Sequence, residues 1–233
     1  MSNLSPEQSA ELELYQADPD RAAGEWKARQ GDRWAARNPI SLTDTDLSFS
    51  KRYGFTKSWV IRDALRDVTR DVRWLEVGCN SGAHMTVMEA AGFPPLTGVE
   101  ISLEAMQRGQ HRGRVAQADA LSLPFADGSF GGVTTAGSFM HLGPVQRMRT
   151  CAHELARVSG RWIFLVELWA PDASLVSFGE LIPPVWLYPW EQALPELLGD
   201  GWAVRYWKNY ELQGVASMRA DMCLLLMERT SRV

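Results

Sequence analysis

From Val72 to Glu167 the chain repeats one pattern, in which a short β-rich run passes through a turn into a segment of helical length. Strands are predicted at 72–77, 96–100, 113–117, 132–136 and 161–167, and helices at 83–91, 102–110 and 144–157. The third and fourth strands are joined instead by a loop containing Leu123-Pro-Phe-Ala-Asp-Gly-Ser-Phe130. Strands alternating with helices of this length pair in parallel, because a crossover helix returns the chain to the same end of the sheet. Both faces of such a sheet are then covered. The expected class is α/β, closed by a helix at 190–198 and strands at 202–210 and 221–228, whose short link predicts an antiparallel hairpin at one sheet edge.

Two segments lie outside this alternation. Residues 1–55 are polar, with helix-compatible stretches broken by Pro19 and Pro39, and are read as an N-terminal helical extension or cap on a domain spanning 56–233. From Thr56 to Asp71, Trp59, Val60, Leu65 and Val68 recur at helical spacing and predict a helix that feeds the first strand. The stretch 168–190 is rich in Pro and aromatics without clear periodicity, and is read as a lid or wall.

A length of 233 residues suits one α/β domain with a short extension. Hydrophobic residues at 45% and charged residues at 22% match a globular chain, and the longest apolar run, Cys223 to Met227, is far too short to span a bilayer. The acidic N-terminus does not read as a signal peptide, so a cytoplasmic protein away from membranes is expected. Three cysteines, Cys79, Cys151 and Cys223, without CxxC spacing argue against disulfides, and no cluster has metal-ligand spacing. The net charge of −4 disfavours a nucleic-acid partner, and the basic run Arg108 to Arg114 is read as a solvated helix end. A monomer or homodimer is expected.

The chemistry concentrates in Trp74-Leu-Glu-Val-Gly-Cys-Asn-Ser-Gly-Ala-His84, a strand that turns at Gly78, passes Gly82 and enters a helix. Glycines let the backbone approach a ligand, and the helix N-terminus presents unpaired N–H groups. The spacing E-x-G-x-x-x-G departs from the G-x-G-x-x-G that cradles a pyrophosphate. Glu76 would repel phosphate and suits a cationic sulfonium and amino group. Glu100 ends the second strand eighteen residues after Gly82, close to the offset of a carboxylate that hydrogen-bonds both ribose hydroxyls. Asp119, after the third strand, can accept from an adenine amino group while the next amide, that of Ala120, reads a ring nitrogen; equally it could cap a turn. S-adenosylmethionine is the cofactor this pattern favours, with Cys79, Asn80, Ile101 and Ala136 as further neighbours.

LEVGCNSG, GVEIS, ADALSLPFADGSF and TTAGSFMHL resemble, in order, the signature blocks of class I S-adenosylmethionine-dependent methyltransferases over roughly Val72 to Glu228. The resemblance implies a Rossmann-like seven-stranded, mostly parallel sheet with an antiparallel last strand and helices on both faces. Gly131 departs from it, since many relatives carry Asp there. Trp26, Gly31-Asp32, Trp34 and Arg37-Asn38 also resemble a block of methylases associated with pseudaminic acid biosynthesis, which would imply a sugar acceptor.

In an open α/β sheet the ligand sits beyond the carboxyl ends of the strands, which puts Ala136 to His141 and Glu167 over the site of methyl transfer. His141, with an ordinary pKa near 6.5, is the expected general base, unless it is a capping histidine; Glu167 would orient the acceptor or His141, unless it is a solvated strand end. His84 faces the cofactor helix, and His111 and His153 read as structural. No Asn/Asp-Pro-Pro-aromatic turn or Pro-Cys pair marks chemistry on nucleic-acid bases. Trp34, Trp186 and Tyr188 are read as acceptor contacts, although such aromatics could serve as core or as a dimer contact. The expected function is methyl transfer to a small molecule, most simply to oxygen of a sugar or secondary metabolite. The alternatives are N- or C-methylation, a non-catalytic adenosyl-binding module and an NAD-dependent oxidoreductase.

Overall fold

The computed structural model describes residues 56–109, 111–143, 145–176, 185–211 and 221–230. The extension 1–55, with Trp34 and the sugar-methylase block, lies outside the described residues.

Helix α1 (Lys57–Ala64) is capped by Thr56, whose hydroxyl accepts the Trp59 N–H at 3.2 Å. It is shorter than the predicted helix because the following residues, RDVTRD, are mostly weak helix formers, and the backbone leaves helical geometry at Leu65. Leu65 and Val68 stay buried as the chain turns into β1 (Trp74–Val77).

Then follow α2 (Ala83–Ala90), β2 (Thr97–Glu100), α3 (Leu103–Arg108), β3 (Val115–Gln117), β4 (Phe130–Ala136), α4 (Val145–Val158) and β5 (Ser159–Trp169). The chain continues through β6 (Ser174–Val176), β7 (Val185–Leu187), α5 (Trp190–Leu198), β8 (Trp202–Glu211) and β9 (Asp221–Arg229).

Seven strands form one sheet in the order β3-β2-β1-β4-β5-β9-β8. The first five pair in parallel, and β9 runs antiparallel to both β5 and β8. The last hairpin thus closes one side of the sheet with β8 outermost and β9 inserted beside β5. Strand order reverses between β1 and β4, which opens the crevice where open α/β sheets bind ligands.

Two-residue periodicity sorts the core onto the two faces. Trp162, Phe164 and Val166 of β5 with Leu224 and Leu226 of β9 pack against α1 and α2, around Val60, Ile61, Met85 and Met88. Ile163 and Leu165 with Cys223, Leu225 and Met227 pack against α4 and α5, around Met148, Leu155, Trp190 and Leu194. Gly131 also finds its reason here. A side chain at that position would collide with Val72, and one at Gly132 would sit 2.6 Å from the Trp74 ring, so β4 passes close to β1 and the residues leading into it.

The insert contains order that lacked any periodic signal. Strands β6 and β7 form an antiparallel hairpin whose Val185 and Leu187 pack with Met140 and Ala170. Three residues per strand are too few to alternate visibly in sequence.

Candidate cofactor and methyl-transfer site

The glycine turn is built as its sequence requires. Gly78 and Gly82 hold φ of 74° and 86°, and Asn80 sits at φ 49°, the left-handed region that Asn tolerates better than most side chains. The N–H groups of Gly78 and Cys79 both donate to the Val99 carbonyl, at 2.9 and 3.0 Å, which fastens the loop to β2. From the other side, His111 covers Gly82: a Cβ there would lie 2.5 Å from the imidazole Cδ2. Arg114 donates to His111 Nδ1 at 2.5 Å, so Nε2 carries the proton and donates to Thr86 Oγ1 at 2.7 Å, which donates to the Gly82 carbonyl at 3.0 Å. His111 is structural, as expected. The basic run is not wholly solvated, since Arg114 pairs with Glu89 at 2.6 Å with both side chains partly buried.

Glu100 anchors the loop more firmly than a ligand contact alone would need. Its Oε2 accepts the Asn80 N–H at 2.8 Å, and its Oε1 accepts the N–H groups of Ile101 and Ser102 at 2.8 and 2.9 Å. A carboxylate offers about four lone-pair sites. With three used, this arrangement leaves room for one ribose hydroxyl where the sequence reading expected two. Burial raises the Glu100 carboxyl pKa, against the lowering effect of these N–H groups.

Glu76 lies below the turn, 2% exposed. Burial pushes its carboxyl well above the usual carboxylate range, opposed by the Lys57 charge and reinforced by Glu100. Its Oε2 has no hydrogen-bond partner among the described residues. A buried carboxylate oxygen left in this state is costly, and an ammonium group is the partner that would satisfy it. The residues thus fit S-adenosylmethionine. Asp119 closes a turn by accepting the Leu121 N–H at 3.0 Å, and the Ala118 N–H donates to the Glu100 carbonyl at 3.0 Å, so Asp119 and Ala120 sit beside the end of β2 that carries Glu100.

Beyond β4 the chain turns at Gly137 into a single 3₁₀ turn, Phe139–His141. Glu167 organises it. Its Oε1 accepts the Thr135 hydroxyl at 2.9 Å and the N–H groups of Ser138 and Phe139 at 3.0 Å each, and its Oε2 accepts the Met140 N–H at 3.5 Å. At 1% exposure it is no solvated strand end. Burial raises its pKa while these donors lower it, and its four contacts hold the backbone that carries His141. His141 itself does not keep an ordinary pKa: burial lowers it to about 4, so the ring is neutral at physiological pH.

Ser138, named in the sequence reading only as part of Ala136 to His141, joins the turn after β4 to the glycine loop by donating to the Gly78 carbonyl at 3.1 Å. Ala136, at the end of β4, packs against the face that carries Glu76. Trp186 and Tyr188 are half-buried in a series of rings that runs Trp186–Tyr188 (6.1 Å), Tyr188–Trp190 (5.2 Å) and Trp190–Phe139 (5.5 Å). The series ends two residues before His141. His84, 4% exposed, makes a 3.2 Å hydrogen bond to Thr134 Oγ1. Thr134 is the register partner of Glu76, a pairing that the two-residue period could have exposed. Lys57 carried no such signal, because its charge acts on Glu76 from a helix outside the repeating units.

Among the described residues no group of side chains could hold a metal ion, and no helix is long and apolar enough to cross a membrane. Residues 75–162 match the model of a methyltransferase domain family. No curated protein matches the sequence. A solved S-adenosylmethionine-dependent methyltransferase from Methanosarcina mazei superposes with a TM-score of 0.61 at 18% identity, over 74% of this chain and 98% of its own. A [4+2]-cyclase shares the fold with a TM-score of 0.55 at 18% identity, over 74% and 82%. Magnesium protoporphyrin IX methyltransferase from Synechocystis, with S-adenosylhomocysteine bound, gives 0.60 at 15% identity over 91% and 100%. At these identities the likenesses speak for the fold. The domain match covers the glycine loop, Glu76, Glu100 and the turn after β4, and over residues 75–162 the chain is similar to a methyltransferase domain.

Proposed function

We propose that the enzyme methylates an oxygen atom of a small-molecule acceptor of the sugar or secondary-metabolite kind, with His141 receiving the acceptor proton. The observation that carries this reading is the place of His141, which ends the turn that Ser138 latches onto the glycine loop. In this reading the acceptor meets the cofactor beside that turn.

S-adenosylmethionine supplies an electrophilic methyl group on a sulfonium centre. The chain's own task is alignment and exclusion of water. In this reading Glu76 takes the amino group, the amides from Gly78 to Gly82 approach the ligand, Glu100 takes a ribose hydroxyl, and Asp119 with the Ala120 amide reads the adenine. Cys79, Asn80, Ile101 and Ala136 line the same pocket. The neutral His141 ring is unprotonated and able to accept. With a pKa of about 4 it is a weak base, suited to a hydroxyl that becomes acidic only as its oxygen bonds to the methyl carbon. Glu167 acts on this chemistry as a positioning residue, through the backbone of the turn.

In this reading Trp186 and Tyr188 contact the acceptor; Trp34, the third residue read as an acceptor contact, lies outside the described residues. An apolar pocket with few polar anchors suits a small molecule, and the sugar-methylase resemblance of residues 26–38 supports a sugar. The same reading has no nucleic-acid or membrane partner, a cytoplasmic location, and a monomer or homodimer.

The test is a screen of hydroxyl-bearing sugars and metabolites for release of S-adenosylhomocysteine, followed by His141→Ala on the best acceptor. The expected result is a kcat lower by about 10²-fold or more, with S-adenosylhomocysteine affinity unchanged. Unchanged turnover would remove His141 from the mechanism.

A further inference from the structure

The loop Leu123-Pro-Phe-Ala-Asp-Gly-Ser-Phe130 stands out in the sequence, and the reaction as described leaves it without a role. Every other pair of consecutive parallel strands is joined through a helix, whereas residues 118–129 return the chain from the end of β3 to the start of β4 without one. Connections of about a dozen residues with no secondary structure are uncommon in compact domains, and are usually functional or disordered. This one is held by a single side chain.

Arg157, in the last turn of α4, uses every N–H of its guanidinium. Nε and Nη2 donate to Glu154 Oε1 and Oε2 at 2.7 and 2.8 Å, Nη2 also donates to the Leu123 carbonyl at 3.0 Å, and Nη1 donates to the Phe125 carbonyl at 2.7 Å and to Asp127 Oδ1 at 2.9 Å. Five donors meet five acceptors. Glu154 in turn accepts the Leu123 N–H at 2.7 Å, and the Arg157 carbonyl accepts the Gly128 N–H at 2.8 Å. The loop is thus tied at Leu123, Phe125, Asp127 and Gly128 to one turn of helix. The pair with Asp127, whose side chain is 81% exposed, adds little to stability. The bonds to the two carbonyls act otherwise, since they set the path of the chain itself.

That path leads to Asp119. The N–H of Ser122, the residue before the clamped Leu123, donates to the Asp119 carbonyl at 3.0 Å, and the Leu121 N–H donates to Asp119 Oδ1 at 3.0 Å. Asp119 and Ser122 also face each other as an isolated β-bridge. The turn that aims the Asp119 carboxylate therefore ends against a residue whose N–H and carbonyl are both held by the Glu154–Arg157 pair.

We infer that Arg157 is a positioning residue for cofactor recognition, which sets the preference for a 6-aminopurine over a 6-oxopurine by fixing the loop that carries Asp119. The inference rests on the reading of Asp119 and the Ala120 amide as the adenine contacts, and adds a residue that reaches neither the ligand nor Asp119 directly. An amino group donates to a carboxylate and a carbonyl oxygen in its place repels one, so the preference depends on where Asp119 is held.

Calorimetry on the full chain with S-adenosylhomocysteine and S-inosylhomocysteine, which carries an oxygen in place of the 6-amino group, reads that preference. Wild type should favour the adenosyl ligand by about tenfold or more, and Asp119→Ala should bring the two affinities within about twofold of each other. Arg157→Gln should lower the preference by about fivefold or more, through weaker binding of the adenosyl ligand alone. Arg157→Lys, which keeps the charge with three donors and no planar fork, should fall between, and supplies the comparison if Arg157→Gln does not fold. In an Asp119→Ala background neither Arg157 variant should change the ratio further, because Arg157 acts through Asp119.

Equal weakening of both ligands by the Arg157 variants, or a lower unfolding temperature with the preference intact, makes Arg157 a residue of the fold alone and overturns the inference while Asp119 keeps its role. A wild type without preference, or Asp119→Ala with the preference intact, overturns the adenine reading of Asp119 and the inference with it.

Discussion

The hydroxyl of Ser138 donates to the carbonyl of Gly78 at 3.1 Å, and Ser138 occupies the space that a Cβ on Gly78 would need. The glycine turn after β1 and the turn after β4 are therefore pressed together at Gly78, with no side chain between them. Two separate demands fall on that residue, a φ of 74° and the absence of a Cβ.

Substitution can separate them. Gly78→Ala should cost about 1–2 kcal/mol for the left-handed backbone, plus the collision with Ser138. Gly78→Ala with Ser138→Gly should recover the collision and keep the backbone cost. Denaturant unfolding of the four proteins in this cycle gives the coupling directly. A double variant no more stable than Gly78→Ala would mean that Ser138 moves aside without penalty.

His141 makes a prediction about acid stability. Its folded pKa of about 4 lies below the unfolded value of 6.5, so the unfolded chain binds the proton more readily. Above pH 6.5 this group costs nothing. As pH falls from 6.5 towards 4, stability should decline by up to about 1.4 kcal/mol per pH unit, and below about 4 the penalty levels off. His141→Gln should remove that share of the decline, measured as the difference between the two proteins' unfolding free energies at each pH. Turnover of the wild type should correspondingly lack an acid limb near pH 6.5, and any limb due to His141 should lie near 4. A limb at 6.5 that vanishes in His141→Gln would contradict the burial of the ring.

Much of this architecture was legible in the residues. The parallel strands could be placed because they alternate with segments of helical length, which cover both faces of the sheet, and the glycine turn because φ above zero and an adjoining acid leave few alternatives. What escaped were relations set by tertiary packing. The three-residue strands Ser174–Val176 and Val185–Leu187 are too short for alternation to register. Glu167 could be read either as orienting the acceptor or His141 or as a solvated strand end, because its four donors, one on β4 and three in the turn that follows, lie twenty-seven or more residues earlier. The ordinary pKa expected for His141 ignored an enclosure that no local spacing reveals.

Glu167 gives a third prediction, in which stability and catalysis respond in different proportions. Glu167→Ala leaves the N–H groups of Ser138 and Phe139 and the Thr135 hydroxyl without their acceptor in the interior. At about 1–3 kcal/mol for each unsatisfied group, a loss of several kcal/mol is expected. Glu167→Gln keeps a carbonyl oxygen where Oε1 stands and removes the desolvated charge, so it should lose less than half as much. Both should lower kcat more than they weaken S-adenosylhomocysteine, because the turn they loosen carries His141 and only borders the cofactor loop. Equal effects on kcat and on cofactor affinity would assign Glu167 to the fold alone.

Glu100 separates a scaffold role from a ligand role most sharply. Its three N–H donors include Asn80, which is held at φ 49°, so the carboxylate supports a backbone conformation that disfavours a side chain. In Glu100→Gln the amide oxygen can keep the Ile101 and Ser102 donors, but its NH₂ then faces the Asn80 N–H and the loop must shift. S-adenosylhomocysteine affinity should fall by about tenfold or more, for which the loss of one charge-assisted hydrogen bond, about 1.5–3 kcal/mol, is sufficient. A ligand lacking both ribose hydroxyls identifies the source of that loss. If Glu100 served only to shape the loop, the substitution would weaken the dideoxy analogue as much as the parent. With a single lone-pair site left for the ribose, removal of one hydroxyl should reproduce nearly the whole difference between the two ligands, and removal of the second should add little. Contributions of equal size from the two hydroxyls would show that Glu100 releases one of its backbone donors when the ligand enters.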